Sequence, residues 1–319
     1  MDTLTKPISA PRRRTTADTV YPIQLLVSVT HLLNDMMQSV IPAVYPLLKA
    51  KFGFSFAQIG LITLVFQMTS SILQPFVGRY ADRHPRPYSL AAGMCFTLAG
   101  LFALALAPGF APILLAVALI GWGSSIFHPE SSRVAQLASG GRKGLAQSIF
   151  QVGGNAGSAF GPLLAALVVI PYGQTSIMWF APAALLAIGI LLRIGNWYKR
   201  QLNAATAAPV TATAAAAELP RRKIRRALLI LTVLVFSKYF YIACMTNYFT
   251  FFLMDKFAFS VQDAQYSLFA FLAASAAGTV IGGPLGDRIG RKYVIWGSIL
   301  GAAPFALMLP YAGSGSAVA

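Results

Sequence analysis

Acidic side chains are scarce in this chain: nine Asp and Glu stand against 25 Lys and Arg, and charged residues of every kind make up only 11%. Ordinary soluble domains carry about a quarter charged residues, so water is excluded as the main solvent. Cysteine is nearly absent. Cys95 and Cys244 are the only two, each inside an apolar run, which excludes a disulfide framework and a paired-cysteine metal site; both are expected in the core. Histidine is limited to His31, His84 and His128, with no neighbours at zinc-ligand spacing, so no metal is expected. HExxH, nucleotide loops and facing catalytic aspartates are missing, which ranks an intramembrane enzyme last. Ten-residue alternating strands are missing as well, which argues against a transmembrane barrel.

Long apolar runs are what the chain has, with 56% hydrophobic residues. A helix crossing the hydrocarbon core needs about 20 mostly apolar residues. Nine segments qualify: Ile23–Leu48, Ala57–Val77, Tyr88–Ala107, Pro112–Val134, Leu145–Ile170, Ile177–Ile194, Ala227–Met254, Ala264–Leu285 and Tyr293–Tyr311. The first is too long and too polar in its middle for a cleaved signal.

The net charge of +16 raises nucleic acid as a partner, but the basic residues fall in short clusters between apolar segments. No nucleic acid is expected. Alternate loops, beginning with the N-terminal tail, hold 21 of the 25 basic residues; the opposite side holds Lys49, Lys51 and Lys256, and Lys238 lies inside the seventh segment. By the positive-inside rule the N-terminus is cytoplasmic. Four units follow: a cytoplasmic tail at 1–22, a six-helix bundle at 23–194, a basic cytoplasmic linker at 195–226 ending in RRKIRR, and a partial second bundle of three helices at 227–319. The expected setting is a bacterial inner membrane, multi-pass, with lipid as the surrounding partner and a monomer as the working state.

An internal repeat supports two halves. The loop GRYADRHPRP (Gly78–Pro87) recurs as GPLGDRIGRK (Gly283–Lys292): Gly78, Asp82, Arg83 and Arg86 map onto Gly283, Asp287, Arg288 and Arg291 with one offset of 205 residues. Duplication of a six-helix unit explains that spacing. The G-x-x-x-D-R-x-x-R pattern resembles the cytoplasmic signature of the major facilitator superfamily. The resemblance implies an all-α membrane fold whose paired loops form a cytoplasmic gate, with Gly permitting close helix approach and Asp pairing with Arg. The plainer reading is that the arginines only fix topology.

GNAGSAFGPLLAA (Gly154–Ala166) is similar to the helix motif of drug and proton antiporters in that superfamily: Gly157, Gly161 and Pro162 match, whereas Ala165 and Ala166 replace the final glycines. Ordinary small-residue packing is the alternative. Val117 stands where such exporters often place an arginine. Together with HLLNDMMQSVIPAVYPLL (His31–Leu48), SSIFHPESSR (Ser124–Arg133), LASGGRKGLAQSIFQVGGN (Leu137–Asn155) and SKYFYIACMTNYFTFFLMDKF (Ser237–Phe257), the chain resembles the fosmidomycin resistance family. That resemblance implies proton-coupled export of a small drug, such as an anionic phosphonate, with the proton as coupling ion and no other cofactor. It also implies three further helices, so the chain is expected to be C-terminally truncated and to transport poorly alone.

Ionisable groups inside a bilayer are costly and mark candidate sites. In the first segment His31, Asn34, Asp35 and Gln38 recur at i, i+3, i+4 and i+7, one polar face. Asp35, near mid-span, is the candidate coupling carboxylate, with His31 beside it. Glu130 and His128 flank Pro129 and offer a second proton site, although Arg133 is placed to pair Glu130 structurally. Lys238 maps by the repeat onto Leu33 and is a candidate partner of Asp35 or of an anionic substrate; snorkelling to the interface is its alternative. Tyr241, Asn247 and Tyr248, with Asn34, Gln38 and the i, i+4 pair Gln151 and Asn155, complete the candidate substrate contacts. The expected mechanism is alternating access, and the alternatives are a sugar or metabolite symporter or uniporter, or a non-transporting sensor or scaffold.

Overall fold

The computed structural model describes residues 19–206 and 221–313, with the side chains of Ala205, Thr206, Arg221, Gly283, Pro284, Asp287 and Arg291 excepted. Most of the expected tail, including Arg12, Arg13 and Arg14, and residues 207–220 of the linker lie outside the described residues. So do the surroundings of Gly283 and the side chains of Asp287 and Arg291, expected at the gate.

Among the described residues all regular structure is helical. Helix α1 spans Tyr21–Ala43, breaks at Val44 and continues as a short segment, Tyr45–Phe52. Then follow α2 Phe56–Arg83, α3 Ser89–Leu106, α4 Phe110–Leu137, α5 Lys143–Tyr172 and α6 Gln174–Ala204. Beyond the linker come α7 Arg222–Phe257, α8 Val261–Ile289 and α9 Lys292–Tyr311. Eight of these helices are long and apolar enough to cross a membrane. The exception is α1, whose polar face lowers its hydropathy. That face is the part of the bundle that carries the site.

Local chemistry sets the boundaries. Gly53 caps the Tyr45–Phe52 segment with φ 68°, a conformation that costs glycine no side-chain clash. Ser55 and Gln58 form a reciprocal capping box, at 3.2 and 2.9 Å, that starts α2. Both α2 and α5 carry one π-turn, at Met68–Ile72 and Ala165–Val169.

In the first six helices α1 packs on α5 and α6, α3 on α4 and α6, and α2 on α4. The α1–α5 contact depends on the glycine stripe. A methyl added at Gly153 or Gly157 would fall on the backbone oxygen of Ser28 or Leu32, and one at Gly161 on the Ser39 side chain. Small residues thus let the two backbones approach closely. The largest buried cluster, which includes Met37, Ile41, Ile59, Met94, Ile120 and Leu191, draws only on residues 23–198. A smaller one joins Leu253, Ala264 and Leu268 of α7 and α8 to Ala159 of α5.

Large apolar side chains such as Phe76, Trp122, Trp179, Phe236 and Phe305 face outward, which suits hydrocarbon as surroundings. Both cysteines are exposed on this outer surface rather than buried, because each sits on the outward side of its helix.

Candidate functional site

The polar face of α1 meets α4 and α5 near the middle of the bundle. His31, 3% exposed, stacks on Phe150 at 3.9 Å between centroids, and its Nδ1 lies 2.8 Å from the Phe150 carbonyl oxygen. A carbonyl only accepts, so Nδ1 carries the hydrogen and donates it. The other nitrogen, Nε2, lies 3.2 Å from Oδ2 of Asp35. With Nδ1 protonated, a neutral His31 would point a lone pair at a carboxylate. The contact is attractive when a proton lies between Nε2 and Oδ2 and repulsive when none does.

His128 of α4 approaches the other carboxylate oxygen, Oδ1, at 3.8 Å, and Asn34 donates to the same atom at 3.0 Å. Gly154 of α5 leaves no room for a side chain against His31 and Asp35. The ligand-type atoms of His31, Asp35 and His128 lie within 4.8 Å of one another. Sequence spacing missed this convergence, since His128 comes from a different helix. That spacing is one a metal ion's ligands could have, which the sequence positions alone did not suggest.

Asp35 opens onto a cavity of about 500 Å³ between α1, α2, α5 and α7, within the size range of small-molecule sites. Its opposite wall is a neutral hydrogen-bond chain. The Tyr45 hydroxyl lies 2.9 Å from Oγ1 of Thr63, which donates to Oδ1 of Asn247 at 2.9 Å, and Nδ2 of Asn247 donates to the Ala243 carbonyl at 2.7 Å. Gln38, Ser39, Gln67, Ser71, Ser158 and Thr246 add further polar lining. Gln38 accepts from Ser124 at 3.0 Å, while its Nε2 and Oδ1 of Asn34 are buried without partners among the described residues.

Of the candidates on α7, the structure brings only Asn247 to this cavity. Side chains advance about 100° per residue along a helix, so Tyr239, Ile242, Ala243 and Thr246 share the inward face with Asn247. Tyr241 and Tyr248 do not line it, although the Tyr248 hydroxyl lies against Gly60 of α2. Tyr241 packs edge-on to Phe271 at 6.1 Å, and Tyr248 is 41% exposed. Lys238 sits on the flank, exposed, with Nζ 5.4 Å from the Tyr239 ring centroid. The expected pairing of Lys238 with Asp35 is therefore corrected. Gln151 and Asn155 bond each other at 3.2 Å, and Asn155 donates to Thr279 of α8 at 3.0 Å, so they tie helices together instead of lining the cavity.

Glu130 belongs to a different cluster. Buried at 1% exposure, it accepts from Ser89 at 3.3 Å and from Arg133 at 3.2 Å. Arg133 also donates to the Ala81 carbonyl at 2.7 Å and pairs with the Asp82 carboxylate. Glu130 is thus ion-paired with Arg133 in this structure, the structural alternative expected for it. Asp82 takes Arg133 instead of Arg83 or Arg86; Arg86 reaches the Tyr80 hydroxyl at 3.4 Å. This cluster joins α2 to α4 within one half. At Gly78 an added methyl would touch Pro129 only at ordinary contact distance, 3.5 Å, so glycine is not required there by space. Arg288 is exposed.

The sequence reading missed Tyr45, Thr63, Gln67, Ser71 and Thr246. Their signal was present as hydroxyls and amides recurring inside apolar segments, each too weakly polar to attract notice beside a charge.

A multi-pass apolar helical bundle around a polar cavity with one buried acid–imidazole cluster defines a membrane transport protein, not an enzyme. The family model described as Major Facilitator Superfamily matches residues 27–319, and the chain belongs to that superfamily of transporters. It is 58% identical over 308 residues to the fosmidomycin resistance protein of Escherichia coli (strain K12), covering 96% of this chain and 75% of that protein. It is 43% identical over 311 residues to YfnC of Bacillus subtilis (strain 168), described as an uncharacterized MFS-type transporter, covering 96% of this chain and 76% of that one. Among solved structures, a bacterial homolog of the human lysosomal transporter Spinster, inward-facing and unoccupied, aligns with a TM-score of 0.67. The two are 17% identical, and the alignment covers 93% of this chain and 70% of that chain. At that identity the likeness shows the fold alone.

Proposed function

We propose that this chain is a proton-coupled efflux transporter of the bacterial cell membrane that works by alternating access as a monomer, with its N-terminus in the cytoplasm. The observation carrying this reading is the 3.2 Å contact between Nε2 of His31 and Oδ2 of Asp35 at the edge of the cavity. With the proton present the contact is attractive. With it gone, a lone pair faces a carboxylate in a poorly solvated site, and the two side chains repel. Protonation therefore biases the position of α1 against α4 and α5, and a proton entering down its gradient can drive export of cargo from the same cavity.

The proposed substrate is a small polar drug, with fosmidomycin as the first to test, on the strength of the similar Escherichia coli protein's name. Lys238 no longer supports an anionic substrate. The hydroxyls and amides of Tyr45, Thr63 and Asn247 supply hydrogen bonds for any polar cargo.

The test is drug accumulation in vesicles with an imposed proton gradient, alongside growth on graded fosmidomycin, for the parent and Asp35→Asn. Asparagine can donate to Nε2 of His31 and hold the contact permanently in its attractive form, so Asp35→Asn is expected to bind drug but lose gradient-driven transport. Equal gradient-driven transport by parent and Asp35→Asn, above that of empty vesicles, would overturn the coupling assignment, and gradient-driven uptake in place of extrusion would favour a symporter.

A further inference from the structure

Among the described residues, polar bonds join the two halves near the end of the 52–56 and 257–261 breaks, and Asn155 bonds Thr279 at 3.0 Å nearer the other; none takes part in the His31–Asp35 cluster. Beside the break at Val44, the carbonyl of Ala43 accepts a hydrogen bond from Nε2 of Gln265, the fifth residue of α8, at 2.8 Å. Gln265 is fully buried, and its Oε1 has no partner among the described residues. Leucine or methionine would fill that volume without burying an unpaired oxygen. The amide is therefore explained by the bond it makes and not by packing. Thr63 and Asn247 make a second bond between the halves at the same end, where Phe56 also meets Phe251 edge-on at 5.2 Å. At the other end the Asp82, Arg133 and Glu130 cluster stays within one half.

We propose that Gln265 is a latch: its bond to Ala43 keeps the end of the bundle away from the Arg79–Pro87 loop closed, and breaking it exposes the transport site there. The stranded Oε1 makes the latch easy to release, because opening that end lets water reach the oxygen and offsets the lost bond. Gln265 is not part of the cavity wall. It is thus a positioning residue that governs access and does not touch cargo. The inference rests on the alternating-access reading.

The test uses two spin-label pairs in the full chain with Cys95 and Cys244 replaced by serine, reconstituted in lipid. One pair sits at Ala57 and Asp255, at the latched end, and the other at His84 and Lys223, at the opposite end; all four positions are exposed. In Gln265→Leu the first distance is expected to lengthen and the second to shorten, with the ratio of the two populations moved by roughly five- to tenfold, as for one lost hydrogen bond. Gln265→Asn, one methylene too short to reach Ala43, is expected to move both distances the same way and decides the matter if the leucine variant does not fold. Parental distances in a folded variant overturn the latch, and so does broadening of both pairs together, which is what a merely structural role would give. A parent whose two pairs stay fixed with and without fosmidomycin, at low and high pH, counts instead against alternating access itself.

Discussion

At the scale of single residues, the contacts around Asp35 are unequal, and the inequality can be measured. His31 approaches one carboxylate oxygen at 3.2 Å and His128 the other at 3.8 Å; only the first is within hydrogen-bond reach. A hydrogen bond to a charged group contributes about 1.5–3 kcal/mol, and a histidine beyond hydrogen-bond reach of the carboxylate forfeits that contribution. His31→Asn is therefore expected to lower gradient-driven transport by tenfold or more, and His128→Asn by about fivefold at most, in the same vesicle assay. The reverse order would show that the proton sits on the His128 side. Lys238→Ala is expected to leave fosmidomycin resistance within about twofold of the parent, as for an exposed charge, because Lys238 is exposed and does not line the cavity. His31, Asn34, Asp35 and Gln38 were legible in the sequence because a charge in an apolar run stands out and helical spacing puts all four on one face. The rotation of α7 was not legible. Nearly every residue of that segment is apolar or aromatic, so its inward face is set by packing against α1 and α8, and a single lysine gives no direction.

At the scale of helices, the glycine stripe of α5 and the glycine of the α2 loop motif look alike in sequence but differ in what surrounds them. A methyl at Gly157 would meet the backbone oxygen of Leu32, which cannot swing aside, while one at Gly78 would only touch Pro129. Gly157→Ala is expected to destabilise the purified protein by about 1–3 kcal/mol, as overpacking does, with a fall of several degrees in Tm. Gly78→Ala is expected to leave Tm unchanged, so any transport defect it causes would come from another conformation of the cycle. Thermal unfolding in detergent separates the two. The stripe does more than pack. It brings Gly154 and the Phe150 carbonyl against His31, so the antiporter-like motif holds the His31–Asp35 contact in place. Helix positions and the repeat were readable from hydropathy and charge. The capture of Asp82 by Arg133 was not, because that pair bridges 51 residues and depends on how α2 crosses α4.

At the scale of the whole molecule, the alternation of helices fixes which loops share a side. The breaks at 83–89, 137–143 and 289–291 lie at one end, and those at 52–56, 106–110, 172–174 and 257–261 at the other. The first end carries the basic clusters, and each Lys or Arg near an anionic cytoplasmic leaflet contributes roughly 1 kcal/mol. The three lysines of the second end are held by the protein itself. Lys51 donates to Gln174 at 2.8 Å, Lys49 lies 4.9 Å from the Phe56 ring centroid, and Lys256 lies between the Phe252 and Phe257 rings and donates to the Pro310 carbonyl. Their local contacts leave them little pull on lipid, so the skew toward the first end is larger in effect than the residue counts alone suggest. With Cys95 and Cys244 replaced by serine, single cysteines at His84 and Pro108 report the two sides. A membrane-impermeant maleimide applied to intact cells is expected to label Pro108→Cys directly and His84→Cys only after permeabilisation. The opposite pattern would invert the proposed topology and place the Gln265 latch on the cytoplasmic side, making it the gate through which drug enters.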